Sequence, residues 1–295
     1  SQVPEGALAV KNPANHKEII GHVKLQNSDE MKVLLANAET AFESWSQTPV
    51  KERANLLRRV ADILERHHDE LVAICIKEAG KVAQDGIDEV REAVDFCRFY
   101  ANQSQQLQTS TIMTFDGKEQ LLSREALGAV ACISPWNFPL AIFVGQIAAA
   151  LVTGNTVIAK PAEQTSLIAT RTIELLHKTG IPTNVVHLLT GEGAVVGDAI
   201  IQDRRIAGVA FTGSTTTAMS INRTLAARNS AIAPLIAETG GQNAMIIDST
   251  ALPEQAIQDV VTSAFKSAGQ RCSSLRVVYI QQDIAPRMLD LLKGV

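Results

Sequence analysis

From Gly128 onward, short apolar runs alternate with segments of helical spacing, and no other feature restricts the fold as much. Residues 129–133, 156–159, 185–189, 208–211, 235–237 and 244–247 read as short buried strands. Helical patterns fall between them, from Leu140 onward, over 166–178 and over 215–228. Strands of this length separated by helices specify an α/β protein with a mostly parallel, Rossmann-like sheet and helices on both faces. Hydrophobic residues make up 46% of the 295, enough for a sizeable core. In such sheets ligands bind at the carboxyl ends of the strands, so the chain's polar motifs are expected there.

The N-terminal part reads differently. From Ser28 to about Asn102 the pattern is helical, with Leu56, Val60, Ile63 and Leu64 on one face and Leu71, Ile74 and Cys75 continuing it. Gly80 and Gly86 are expected to break the run, with a further helix over about 87–101. His67 and His68, among charged neighbours, read as a solvated helix face. Residues 103–111 are rich in Gln, Ser and Thr. Asp116-Gly117, flanked by Ile112, Met113, Leu121 and Leu122, is a hairpin signal and predicts a two-stranded excursion.

Several function classes lose support. A net charge of −4 with scattered basic residues gives no reason to expect nucleic-acid or membrane-surface binding. The longest apolar stretch, 140–152, contains Gly145 and Gln146 and is too short to span a bilayer. The four cysteines have no zinc or CxxC spacing, and none of the six histidines has metal-ligand spacing, so no metal is expected. Without a recognisable secretory segment, free thiols in a reducing cytoplasm are the default. A first residue of Ser rather than Met reads as a cut from a longer chain.

Cys75, Cys97 and Cys132 have apolar neighbours and read as packing residues. Cys272 instead sits in Gly269-Gln-Arg-Cys-Ser-Ser, where Arg271 could favour a thiolate if its side chain faces it. Glu238-Thr-Gly-Gly lies 34 residues earlier. A thiolate can attack a carbonyl, and a carboxylate can activate the water that hydrolyses the resulting thioester. A Cys-His hydrolase is a remoter use of the same thiol.

Three other loops complete the inventory. Phe211-Thr-Gly213-Ser214-Thr215 follows a strand and opens a helix, which suits a pyrophosphate; taken alone, an ordinary strand–turn–helix with a Ser or Thr N-cap is the favoured reading. Lys160-Pro-Ala-Glu163 offers a cation and a carboxylate for ribose hydroxyls, and the carboxylate would repel a 2′-phosphate; a surface turn held by Pro is the alternative. In Pro135-Trp136-Asn137-Phe138-Pro139, Asn137 could donate to an oxyanion or bond local backbone.

Taken together and in this order, these motifs resemble the aldehyde dehydrogenase superfamily, most specifically from Arg124 to Arg276. The text around Glu238-Thr-Gly-Gly-Gln-Asn243 and Ser267-Ala-Gly-Gln-Arg-Cys-Ser-Ser-Leu-Arg276 is similar to one branch. That branch is the L-glutamate γ-semialdehyde (pyrroline-5-carboxylate) dehydrogenase module of bacterial bifunctional proline-utilisation flavoproteins. The resemblance implies Cys272 as nucleophile, Glu238 as general base, and Asn137 with the Cys272 backbone N–H as oxyanion hole. It implies NAD as cofactor, with Lys160 and Glu163 at the adenosine ribose, Gly213 and Ser214 at the pyrophosphate, and Ile133 and Trp136 also in the cofactor site. In the implied cycle the Cys272 thiolate attacks an aldehyde, hydride passes to the nicotinamide, and the thioester is hydrolysed.

The resemblance further implies an NAD-binding domain over 1–237, with an oligomerisation arm at 108–126, and the beginning of a catalytic domain over 238–295. It implies a homo-oligomeric parent, cytoplasmic, that also binds FAD in an upstream proline dehydrogenase domain. Two departures stand out. Ala218 replaces a usual family glycine. Only 23 residues follow Cys272, whereas the family continues with a second ribose-contacting Glu, an aldehyde-anchoring loop and an oligomerisation strand. The 295-residue chain is therefore expected to have little dehydrogenase activity by itself. Another semialdehyde, such as succinate semialdehyde, remains an alternative substrate.

Overall fold

A computed structural model describes residues 6–108 and 111–295. Thr109 and Ser110, part of the Gln/Ser/Thr-rich stretch, lie outside the described residues. The chain divides into two compact units, Ser1–Glu238 and Thr239–Val295.

The first unit opens with an antiparallel pair, β1 (Ala7–Asn12) and β2 (Asn15–Lys24). This pair is not anticipated by the sequence pattern, which alternates poorly there. Four helices follow: α1 (Ser28–Gln47), α2 (Val50–Arg66), α3 (His68–Ala79) and α4 (Ala83–Gln103). Asn27 starts α1 with a capping box. Its side chain accepts from the Glu30 N–H at 2.9 Å while Glu30 accepts from the Asn27 N–H at 3.0 Å. Gly80 ends α3 in the left-handed region at φ 66°. His67 and His68 stand at the α2–α3 junction rather than inside one helix.

Gly86 does not break the helix; α4 runs through it. A Cβ at Gly86 would stand 3.2 Å from Val72 Cγ1, so the missing side chain serves close packing of α4 on α3. Beyond α4, β3 (Thr111–Phe115) and β4 (Lys118–Leu122) form the expected hairpin. Asp116 (φ 51°) and Gly117 (φ 70°) make its two-residue turn, both in the left-handed region that such hairpins need.

The alternating region then supplies β5 (Ala129–Ile133), α5 (Ala141–Val152), β6 (Thr156–Lys160), α6 (Ser166–Lys178), β7 (Val186–Leu188), α7 (Asp198–Gln202), β8 (Ile206–Thr212), α8 (Thr215–Ala227) and β9 (Leu235–Glu238). Five strands form one parallel sheet in the order β7-β6-β5-β8-β9. Successive side chains point to opposite faces of a strand. Accordingly Val130, Cys132, Val157 and Ala159 pack with residues of α2, α4, α5 and α6. Ala129, Ala131, Ile158 and Val209 pack with α1, α7 and α8. Both faces are covered, as the continuous apolar strands require. The strand order reverses direction between β5 and β8, which is the switch point where such sheets open a crevice.

The second unit carries β10 (Asn243–Ile247), α9 (Pro253–Phe265), β11 (Leu275–Ile280) and α10 (Ala285–Lys293). Of these, only β10 is among the expected elements. β10 and β11 pair in parallel over a small core of Ile247, Ile257, Val260, Leu275 and Met288. Among the described residues, no helix is long and apolar enough to cross a membrane.

Candidate active site

Four of the sequence motifs meet at the carboxyl ends of strands in the first unit. Ile133 ends β5, and the 134–140 loop follows it. Lys160 ends β6, Gly213 and Ser214 follow β8, and Glu238 ends β9. The ladder ties these ends together: Ser134 N–H donates to the Lys160 carbonyl at 3.1 Å and Gly213 N–H to the Glu238 carbonyl at 3.0 Å. Gln146 of α5 spans the switch point. Its amide donates to the Ile133 carbonyl at 3.3 Å and to the Thr212 hydroxyl at 3.1 Å.

Each loop has a local reason for its shape. Gly213 cannot carry a side chain, because a Cβ there would lie 2.5 Å from the ring of Phe211, a buried core residue. Ser214 caps α8, accepting from the Thr217 N–H at 3.1 Å. The cap leaves the first-turn N–H groups of Thr215 and Thr216 without intrahelical acceptors. Ala218 is buried inside α8 and fits the helix without strain. Lys160 is buried rather than part of a surface turn; its ammonium donates to the Pro161 carbonyl at 3.1 Å. Burial lowers its pKa, opposed by the Glu163 charge. Glu163 is exposed and accepts from the Gly193 N–H at 3.2 Å. Trp136 is 43% exposed and Asn137 half-buried.

Two glutamates from the N-terminal helices support these loops from behind. Glu89 of α4 accepts from the N–H groups of Leu140 and Ala141, at 3.1 and 2.9 Å, where α5 begins. Glu78 of α3 accepts from those of Leu167 and Ile168, at 2.7 and 2.9 Å, in the first turn of α6. A carboxylate suits the positive end of a helix dipole, yet burial dominates for Glu78 and pushes its carboxyl up to about 7. Unfolded, the group titrates near 4.5. Between those values the folded chain holds a proton that the unfolded chain lacks, so stability falls as pH rises from about 4.5 to about 7. The loss is on the order of 3 kcal/mol. Urea unfolding at pH 5 and pH 7.5 should show a flatter dependence in Glu78→Gln, and an unchanged slope would refute the linkage.

Cys272 belongs to the second unit. It precedes β11, in the loop from α9, and so departs from the expectation that every motif follows a strand's carboxyl end. Ser267 (φ 56°), Ala268 (φ 55°) and Gly269 (φ 68°) run consecutively through the left-handed region. Each of the two non-glycine residues costs roughly 1–2 kcal/mol there. The loop is held against that strain from both sides. Arg276 donates to the Gly269 carbonyl at 2.9 Å, and the Asn243 amide donates to the carbonyls of Cys272 and Ser274 at 2.6 and 3.0 Å. Arg271 points back to the end of α9, donating to Thr262 and Ser263 carbonyls, and does not serve the thiol.

Cys272 is exposed, whereas Cys75, Cys97 and Cys132 are buried. Burial pushes the Cys97 and Cys132 thiols up to about 12 and raises Cys75 as well, which leaves these three as packing groups.

The first-unit loops fit a dinucleotide. The buried oxygens Ser134 Oγ, Gln146 Oε1 and Thr165 Oγ1, near the ends of β5 and β6, have no hydrogen-bond partner. Together with the orphan donors of α8 and the Lys160–Glu163 pair, they offer bonds that an extended polar ligand could complete.

The first unit thus carries a doubly wound sheet with polar loops at its carboxyl ends, and the second an exposed cysteine in a strained, hydrogen-bonded loop. The chain belongs to the aldehyde dehydrogenase family, whose model matches residues 2–294. Among curated proteins it is 49% identical to the bifunctional protein PutA of Salmonella typhimurium, over 99% of this chain and 22% of that protein. It is 36% identical to the 1-pyrroline-5-carboxylate dehydrogenase of Anoxybacillus flavithermus, over 97% of this chain and 56% of that protein. Among solved structures, the NAD-bound 1-pyrroline-5-carboxylate dehydrogenase from Thermus superposes with a TM-score of 0.94 at 31% identity, over 99% of this chain and 58% of that one. The chain thus spans about a fifth to a little over half of the relatives it matches.

Proposed function

We propose that the protein is an NAD-dependent dehydrogenase that oxidises L-glutamate γ-semialdehyde to L-glutamate in proline catabolism. The observation that carries this reading is similarity along nearly the whole chain both to bifunctional PutA and to dedicated 1-pyrroline-5-carboxylate dehydrogenases. The NAD-bound Thermus relative and the polar loops at the switch point support the cofactor.

In this reading Cys272 Sγ bonds to the aldehyde carbon, and the Asn137 amide with the Cys272 N–H steadies the oxyanion. NAD, when bound, supplies the hydride acceptor. Glu238 then takes a proton from water, which adds to the thioester and releases the acid and the free thiol. Lys160 and Glu163 hold the adenosine ribose, and Gly213 and Ser214 present the α8 N-terminus to the pyrophosphate. Ile133 and Trp136 line the cofactor site. The Glu163 carboxylate disfavours a 2′-phosphate, hence NAD over NADP.

The reading assigns 1–237 to the NAD-binding domain, 108–126 to an oligomerisation arm and 238–295 to the beginning of the catalytic domain. It extends to a homo-oligomeric parent with a separate FAD-dependent proline dehydrogenase domain. Formation of NADH or NADPH by the full-length protein tests it, comparing glutamate and succinate semialdehydes with NAD and NADP. Preference for succinate semialdehyde would overturn the substrate, and equal use of NADP would overturn the role of Glu163.

A further inference from the structure

Lys81 and Glu89 are among the least accessible charged residues in the chain, at 8% and 1% exposure. Their Nζ and Oε1 atoms are 3.3 Å apart. Replacing such a buried pair by apolar residues is often neutral or stabilising, so stability is a weak reason for placing one here. Its contacts suggest another. Glu89 Oε2 takes the Leu140 and Ala141 N–H groups, at the exit of the 134–140 loop. The Lys81 ammonium stands 5.0 Å from the centre of the Phe138 ring, within the range of a cation–π contact. The loop's entry is fixed separately, by Ser134 N–H on the Lys160 carbonyl and Gln146 on the Ile133 carbonyl. One ion pair therefore grips the loop at Phe138, Leu140 and Ala141, beginning one residue after Asn137.

We propose that the Lys81–Glu89 pair is a positioning device that fixes the 135–139 loop so that the Asn137 amide is preset for the oxyanion. The proposal rests on the reading of Asn137 as an oxyanion donor. Such a donor contributes only when its geometry is held to within roughly 0.5 Å. A neutral pair of equal volume would fill the same space, but it would supply neither a full acceptor for two helix N–H groups nor a cation over Phe138.

The test is a double-mutant cycle in the full-length protein, read by single-turnover NADH formation. Glu89→Gln and Lys81→Met should each slow acylation about 10- to 100-fold at saturating NAD, with NAD affinity, set mainly by the loops after β6 and β8, changed less than about threefold. Lys81→Arg should restore most of the rate. With Asn137→Ala already present, either variant should cost less than about twofold more. A full additive loss would show that the pair acts on stability alone and would overturn the proposal. No effect of Asn137→Ala by itself would instead sink the oxyanion reading.

A second measurement does not depend on turnover. In the full-length protein, Glu89→Gln or Lys81→Met should raise hydrogen exchange of the backbone amides in peptides spanning 136–141 about twofold or more, whereas Val90→Ala, an ordinary core truncation in α4, should not. Equal exchange in all variants would also overturn the clamp.

Discussion

Replacing Cys272 with alanine is expected to reduce aldehyde oxidation by the full-length protein by at least about 10⁴-fold while changing NAD affinity less than about threefold. The size of the loss follows from chemistry. Without the thiol this covalent intermediate cannot form, and none of the other three cysteines of these 295 residues can substitute. Cys75, Cys97 and Cys132 are buried in the first unit with their thiols pushed up in pKa. The sparing of NAD follows from the division of labour, because the loops assigned to the cofactor lie on β5, β6 and β8. Nucleotide titration of the variant, beside steady-state rates, checks both halves. Collapse of NAD affinity with surviving turnover would show that the nucleophile is elsewhere.

The second large effect concerns Glu238. Glu238→Gln should slow hydrolysis of the thioester by about 10² to 10⁴ while leaving its formation nearly intact. Gln keeps the size of the side chain but cannot take a proton from water. The backbone of the residue should be undisturbed, since Glu238 is tied into the sheet through its main chain, its carbonyl accepting from the Gly213 N–H and its backbone pairing with Thr212. Rapid mixing with aldehyde and NAD should then show one equivalent of NADH in a burst, followed by a slow steady state. A variant with no burst and a normal steady rate would remove Glu238 from the role of base.

Much of the fold was legible in the sequence because each signal was local. The parallel strands appear as continuous apolar runs, and Asp116-Gly117 marks its hairpin by the left-handed backbone it must adopt. The strand order was not legible, since apolar runs do not record their neighbours. Gly86 misled because the cost of a glycine in a helix was visible while its benefit, contact with Val72, was not. The opening β1–β2 pair has no clear period, whereas α9 and α10 do carry helical spacing, at Ile257, Val260 and Val261 and at Met288, Leu291 and Leu292, and β11 is an apolar run; these three were legible though not assigned.

The candidate site divides in the same way. Its loops carry short, recognisable runs of glycine, proline and polar residues. The residues that support those loops carry no such mark. Glu78 and Glu89 look like ordinary charged positions on amphipathic helices, and their partners lie 89 and 51 residues away. Gln146 reads as a mere interruption of an apolar stretch, yet it bridges β5 and β8. Asn243 is a motif residue whose grip on the Cys272 loop depends on the parallel pairing of β10 with β11. Arg271 shows the converse: adjacency in sequence suggested a partner for the thiol, and the helix end claimed it.

The glutamate caps also bear on how this protein could be taken apart or borrowed. The five-stranded sheet begins at Ala129, and a design that grafted only that portion into a new host would retain every strand. It would nonetheless leave the starts of α5 and α6 without the acceptors that α4 and α3 now provide. The transferable module is therefore the sheet together with the helical layer before it, and because α1 and α2 also cover the sheet's faces, the swappable boundary lies ahead of α1.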